Sequence, residues 1–595
     1  MAKYQSFRQT SDPAQGPARL AALRAQMQAE GVDAFLIPRA DIHQGEYVAP
    51  HDARLAWLTG FTGSAGFCIA LQDRAGVFVD GRYRVQVKVQ TADCFTPVDW
   101  PETKAADWIV DHLPSGSVVG VDPWLHSMDE ITALQKTLGP KGITVRAIDN
   151  LVDRIWPDQP APPMAPIHPH PIEFAGQAAA DKCATCADRI TTAGAACAVL
   201  TLPDAIAWAL NIRGADVPHM PAPHALAVLH ASGAVQLYVH PDKTNDALRN
   251  HLGPFVSLHH SDDFPAALLD LPGPVMLDPN HAPFAIKQAL DLAGISMIHA
   301  TDPTQLPKAC KNPTEIAGAR AAHLRDGAAM VTFLHWLDQQ PDGSITEIDV
   351  VDRLESARIA TGDLRDISFE TIAGSGPNGA IIHYRVDEDS NRSLQNGDLL
   401  VLDSGGQYLD GTTDITRTIA IGTPPADAIR AFTAVLCGMI DISRLRFARG
   451  IAGAHIDAIA RAPLWQLGLD YGHGTGHGVG SYLSVHEGPQ RISRISQVPL
   501  QPGMILSNEP GYYREGAFGI RIENLIAVMP SQMDGFLEFE TLTLAPIDRR
   551  LIDPTQMSAA QQAWLNAYHA RVYDALSNGL DADTQAWLKS ATAPI

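Results

Sequence analysis

The chain lacks any uninterrupted apolar run of the ~18 residues a membrane-spanning helix needs. Its opening Met1-Ala2-Lys3-Tyr4-Gln5-Ser6-Phe7-Arg8 puts no apolar core behind the basic positions. Neither a transmembrane segment nor a secretory signal is therefore expected. Cysteine is scarce: seven residues, an odd number, scattered from Cys68 to Cys437. That excludes a disulfide framework and points to a reducing, cytoplasmic setting. Only Cys183 and Cys186 have the spacing of half a zinc site. With no second pair nearby and Ala-rich surroundings, they read as inert helix thiols. Basic charge is in deficit, 44 Lys and Arg against 66 Asp and Glu, a net charge of −22. This speaks against nucleic acid or an anionic membrane as partner. Low-complexity and disorder-prone stretches are also missing.

What remains is an ordinary globular composition, 46% hydrophobic and 18% charged, over 595 residues. That length exceeds one core and implies about three to four domains. A Pro-rich stretch from Pro157 to Pro171 can form neither helix nor central strand and reads as a linker, with His168 and His170 as extended linker residues. The segments flanking it look like copies of one plan. Residues 34–83 run from an apolar strand through a short helix carrying Trp57 to a Gly turn and a hairpin pattern. Residues 198–240 repeat that order with Trp208, which predicts two related α/β domains. A third unit opens at Lys311-Asn312-Pro313-Thr314-Glu315, where Asn312 and Glu315 form a capping box around Pro313. Leu324, Ala328, Val331 and Leu334 then recur at helical spacing as the expected inner face. Beyond about residue 549 the pattern is helical again, with Trp564, Leu565, Val572, Leu576 and Trp587 as packing residues of an appendage or association surface. The expected divisions are 1–160, 161–311, 312–548 and 549–595.

Between these helical stretches, four acids sit in or at the ends of apolar strands. Asp403 closes Leu399-Leu400-Val401-Leu402. Asp414 follows after the turn signal Asp410-Gly411, so a hairpin can return it beside Asp403. Glu509 closes Ile505-Leu506-Ser507-Asn508, and Glu523 follows Ile520-Arg521-Ile522. Strand alternation places Arg521 and Glu523 on one face, so Arg521 is expected to hold Glu523. His473, His477 and His486 lie in a Gly-rich stretch whose backbone can approach a ligand closely. Inward acids cost several kcal/mol each unless paired or metal-bound. Four carboxylates and an imidazole, without sulfur, suit two divalent cations, whose +4 offsets the −4 of the acids. Such a pair can activate a water and polarise a carbonyl.

These motifs, Asp403-Ser404-Gly405, Asp410 to Thr418, His473 to Gly480, Val485-His486-Glu487-Gly488-Pro489, Ser507 to Tyr513 and Gly519 to Asn524, closely resemble those of Xaa-Pro aminopeptidases, in the long three-domain cytosolic-type branch. The likeness extends to Asp80-Gly81-Arg82-Tyr83 and the helical tail. It implies an α/β (α+β) architecture: two creatinase-like domains, a pita-bread catalytic domain of two pseudo-symmetric halves, and a helical extension. It implies a dinuclear site, usually Mn2+, with Zn2+ or Co2+ as alternatives. Asp403 would bind one ion, His477 and Glu509 the other, and Asp414 and Glu523 would bridge. His383 and His486, with His473 nearby, would face the substrate, Arg521 would support the site, and Glu509 would handle protons. All five ligands are present, unlike in metal-free relatives such as creatinase. The implied substrates are small peptides with proline second, the implied assembly a homodimer. A Xaa-Pro dipeptidase and a non-catalytic peptide-binding module of the same fold are the rival readings.

Overall fold

A computed structural model of the chain describes residues 3–595. It divides into two compact units, one of residues 10–308 and one that joins residues 3–9 to 309–595.

The first unit contains two six-stranded sheets built on one plan. In the first, strands Ala34–Pro38, Phe67–Leu71 and Ala75–Val79 form an antiparallel meander, and Thr96–Asp99 adds parallel to its edge. Val118–Val121 and Thr144–Ala147 extend the other side in parallel. In the second, Cys197–Leu200, Leu226–His230 and Val235–Tyr238 repeat the meander, Val256–His259 repeats the parallel edge, and Val275–Leu277 with Met297–His299 repeat the other side. Strand order and direction agree position by position, so the expected pair of related α/β domains is present. The meanders are apolar on both faces because helices cover them, which is why these strands read as near-continuous hydrophobic runs. Phe35, Ile37, Cys68, Val77 and Leu58 fill one core, and Val199, Val228, Leu277 and Phe264 another.

The end of the linker is extended and packed into the fold. It forms the short strand His168–Pro169 against Ile212–Arg213, and His170 is only 3% exposed. Burial, with Arg213 nearby, pushes the His170 imidazole down to about 2, so it stays neutral. Cys183 and Cys186 are buried on helix Ala179–Thr192, and burial pushes both thiols up to about 12.

The second unit starts from helix Pro313–Asp338, capped as anticipated: Asn312 Oδ1 accepts from the Glu315 amide at 3.0 Å and Glu315 Oε2 accepts from the Asn312 amide at 2.9 Å. The expected inner face holds except at its first position: Val331 and Leu334 are buried and Ala328 is partly so. Leu324 is 46% exposed, and the buried side runs through His323, Asp326, Met330, Phe333 and Leu337. Asp326 accepts from Arg358 Nε at 2.8 Å and from the Tyr408 hydroxyl at 2.8 Å, a buried ion pair that apolar periodicity cannot reveal. Two sheets follow. One holds Ile372–Ser375, Leu399–Ser404 and Ile415–Ala420; the other has the order Arg446–Ala448, Phe536–Thr541, Asn524–Pro530, Ile505–Asn508, Gly476–Gly478 and Glu487–Ile492. Helices Ala426–Ser443 and Gly453–Trp465 pack beside them. Residues 3–9 lie here too, where Gln5 and Thr371 exchange hydrogen bonds of 2.7 and 3.3 Å. Helices Ala559–Leu576 and Ala582–Ala591 are part of the core rather than an appendage: Leu565, Val572 and Leu588 are fully buried in one cluster with Val331, Leu399 and Phe432.

Candidate metal centre

Backbone register brings the acids together. Leu399–Ser404 pairs antiparallel with Ile415–Ala420, Asp403 opposite Thr416, so the hairpin returns Asp414 beside Asp403. In the other sheet Asn508 pairs with Asn524, which sets Glu509 and Glu523 side by side just past the paired residues. The strand carrying His477 joins this sheet through Gly478 opposite Leu506. Gly476 is required there: a Cβ would stand 2.0 Å from the Ser507 carbonyl oxygen.

The result is a buried cluster. His477 Nε2 lies 3.5 Å from Asp414 Oδ2 and 3.6 Å from Glu509 Oε1, and ligand atoms of Asp414, His477 and Glu523 all lie within 4.8 Å of one another. His477 Nδ1 lies 3.0 Å from the Gly478 carbonyl, which fixes the ring with Nε2 toward the acids. Burial, reinforced by Asp403 and Glu509, holds the Asp414 carboxyl well above its ordinary value. Burial, with Asp414 and Asp403 next, does the same to Glu523, and burial raises Glu509 against the opposing pull of His477.

Arg521 departs from its expected role. Its Nη2 donates to Asp403 Oδ2 at 2.8 Å, its Nη1 to the Tyr513 hydroxyl at 2.6 Å and its Nε to Thr416 Oγ1 at 3.3 Å. Strand Phe518–Arg521 ends at Arg521, so alternation does not carry on to Glu523. Glu523 instead accepts from Thr416 Oγ1 at 2.8 Å. Arg417, the other local cation, gives its protons to carbonyls, including that of Glu523 at 2.6 Å.

Positioning residues that the motifs did not disclose lie behind the cluster. Asp457 and Arg461 pair at 2.8 Å along helix Gly453–Trp465. Arg461 also donates to the Tyr471 and His473 carbonyls at 2.8 and 2.7 Å, and Thr475 Oγ1 donates to Asp457 at 2.6 Å. The Thr475 carbonyl then receives the Glu509 amide at 2.8 Å. The four-residue spacing of Asp457 and Arg461 was the one visible signal. Lys311 and Glu487 form a second fully buried ion pair.

Of the histidines, His486 packs edge-on against His477 with ring centroids 4.2 Å apart. His473 meets the Tyr513 hydroxyl at 3.0 Å, so it reaches Asp403 through Tyr513 and Arg521. His383 is half-buried after the Gly376–Ala380 turn.

This donor set fits divalent ions. Asp403 Oδ1 and Asp414 Oδ1 are buried with no hydrogen-bond partner among the described residues. Arg521 supplies a positive charge in ion-pair contact with one of the four acids, Asp403. Oxygens left without donors beside mutually repelling carboxylates are what bound cations resolve.

Comparison with known proteins agrees. The Creatinase/Prolidase N-terminal domain profile matches twice, at residues 19–155 and 158–315. Metallopeptidase family M24 matches 317–530, and the C-terminal region of peptidase_M24 matches 535–595. Aminopeptidase P2 of Arabidopsis thaliana is 39% identical over 95% of this chain and 86% of its own length. A probable Xaa-Pro aminopeptidase P of Coccidioides posadasii is 38% identical over 100% of this chain and 95% of its own. The crystal structure of X-prolyl aminopeptidase from Caenorhabditis elegans, described as a cytosolic enzyme with a di-nuclear active site, superposes with a TM-score of 0.93 at 33% identity, covering 98% of this chain and 100% of that one. Two creatinase-type domains, an M24 domain whose strand ends gather four acids and a histidine, and likeness along the whole length place this chain in the Xaa-Pro aminopeptidase family of metallopeptidases.

Proposed function

We propose that the chain removes the first residue from small peptides whose second residue is proline. The observation that carries this reading is the cluster of Asp403, Asp414, His477, Glu509 and Glu523, in which Asp403 Oδ1 and Asp414 Oδ1 are buried without a hydrogen-bond partner among the described residues. Asp403 would serve one ion, His477 and Glu509 the other, with Asp414 and Glu523 between them; Mn2+ suits this oxygen-rich set. Two divalent ions supply a Lewis acid for the scissile carbonyl and a water acidic enough to ionise near pH 7.

The side chains supply the rest. Glu509 accepts a proton from the attacking water and delivers it to the prolyl nitrogen as the C–N bond breaks. A proton donor is needed because an amide nitrogen cannot depart as an anion; the X-Pro nitrogen, once protonated, leaves as a secondary amine. His486, against His477, and His383 orient the carbonyl and steady its developing negative charge. Asp403, held by Arg521, faces the free α-amine, with His473 on the substrate side of Tyr513. We assign domains at 1–160, 161–311, 312–548 and 549–595, and take the working form to be a cytoplasmic homodimer. Among the described residues no helix is long and apolar enough to cross a membrane.

The test is Glu509→Gln with Mn2+ on a Gly-Pro-Xaa tripeptide, where losing the proton-transfer group costs about 10²- to 10⁴-fold in kcat. Near-normal turnover would contradict the role. Faster cleavage of a Xaa-Pro dipeptide than of the tripeptide would make the chain a dipeptidase, and two bound metals without peptidase activity would make it a binding module.

A further inference from the structure

Within the unit of residues 10–308 a second group of ligand-type side chains meets between the two α/β domains. Asp41 lies just past strand Ala34–Pro38, Asp52 ends the turn Pro50–Asp52, and His224 precedes strand Leu226–His230 of the other domain. One oxygen or nitrogen from each lies within 4.8 Å of the others. Asp41 is 2% exposed, and among the described residues neither its Oδ2 nor His224 Nε2 has a hydrogen-bond partner. These two atoms stand 3.3 Å apart, close enough for an ion pair yet without hydrogen-bond alignment. Donors at ~2.0–2.2 Å from one cation lie about 3–3.5 Å from each other in octahedral or tetrahedral arrangement. The same spacing, 3.5 Å, separates His477 and Asp414 in the catalytic cluster.

Everything around the group is already committed to holding it. Asp41 Oδ1 accepts from the His43 amide at 2.9 Å. Arg54 donates to Asp52 Oδ1 at 3.0 Å and is itself clamped by Asp153 at 2.7 and 3.0 Å. The His224 amide donates to Asp216 at 2.6 Å, and its carbonyl accepts from Lys243 at 2.8 Å. The His224 ring packs on His43, centroids 4.4 Å apart, and His43 Nδ1 meets the Thr201 carbonyl at 3.2 Å.

The geometry points to a third divalent-cation site, formed by Asp41, Asp52 and His224, that ties the two N-terminal domains together. Two carboxylates and one neutral imidazole balance a +2 charge and select a first-row ion of the Mn2+ or Zn2+ class over Ca2+.

The test is equilibrium dialysis of the chelator-stripped full chain against Mn2+, and separately Zn2+, with metal counted per chain. Wild type should hold three equivalents, Asp41→Asn and His224→Gln two each, and the catalytic variant Asp414→Asn/Glu523→Gln one. Equal counts in wild type and His224→Gln would overturn the site and leave a plain Asp41–His224 ion pair; so would a catalytic double variant that folds but binds none. Should that double variant fail to fold, the wild-type and His224→Gln counts decide alone. A catalytic cluster holding one ion would give two in wild type and one in His224→Gln, so the two sites fail separately.

Discussion

Stripping metal from the catalytic cluster has a pH signature whose sign follows from its geometry. Asp403, Asp414, Glu509 and Glu523 share a buried space in which, among the described residues, only Arg521 makes a guanidinium–carboxylate pair, with Asp403. Burial and mutual repulsion raise Asp414, Glu509 and Glu523, so in the metal-free chain these groups retain protons at pH values where free carboxyls have lost them. A carboxyl raised on folding contributes stability that is fully present below its unfolded pKa near 4 and is lost as pH climbs through the folded value. Metal-free protein should therefore melt at progressively lower temperature from about pH 5 upward. Ions at a thousandfold excess over Kd restore about 4 kcal/mol, or roughly 10 °C in Tm for a unit this size. Binding must also expel the retained protons, a number above zero per chain. Calorimetric titration of Mn2+ in buffers of different ionisation enthalpy reads that number directly. A proton count of zero, together with a metal-free Tm independent of pH between 5 and 8, would refute the account.

Three further outcomes follow from other parts of the molecule. Arg358→Met strands the Asp326 carboxylate in the core and should destabilise by about 3–5 kcal/mol in urea unfolding, whereas a loss under 1 kcal/mol would mean the pair is not shielded from water. Leu565→Ala should cost about 2–5 kcal/mol in the same assay, and an unchanged midpoint would show that the tail helix is no part of the core. With burial holding both thiols near 12, Cys183 and Cys186 should resist iodoacetamide at pH 8 in the native chain, with mass spectrometry locating any label; modification there before unfolding would contradict their packing.

How far the sequence could be read depended on whether a feature was local. The Asp403–Asp414 approach was legible because Asp410-Gly411 forces a tight return, and the capping box at Asn312 because it closes within one turn. The duplicated α/β plan was legible because strand order along the chain is strand order in the template. The partner of Arg521 was not, because it depends on where a strand stops: the alternation rule was extended two residues past the end of Phe518–Arg521. Leu324 was misplaced because the helix buries His323 and Asp326, which a purely apolar count assigns to the outside. The burial of His170 was not legible because it depends on contacts with distant residues such as Arg213. For the same reason the Asp41, Asp52 and His224 group, which spans two domains, leaves no spacing pattern in the chain.

The packing of Leu565, Val572 and Leu588 against Val331 and Leu399 bears on biosynthesis. A ribosome delivers residues 10–308 as a finished set, able to condense while translation continues. The half bearing the catalytic cluster has no such option. Helix Pro313–Asp338 and the strands behind it must wait, with apolar surface uncovered, until some 250 further residues have emerged, roughly 10–50 s at ordinary elongation speeds. During that interval the nascent hydrolase is both inactive and prone to aggregate, so a chaperone would be needed at this stage rather than earlier.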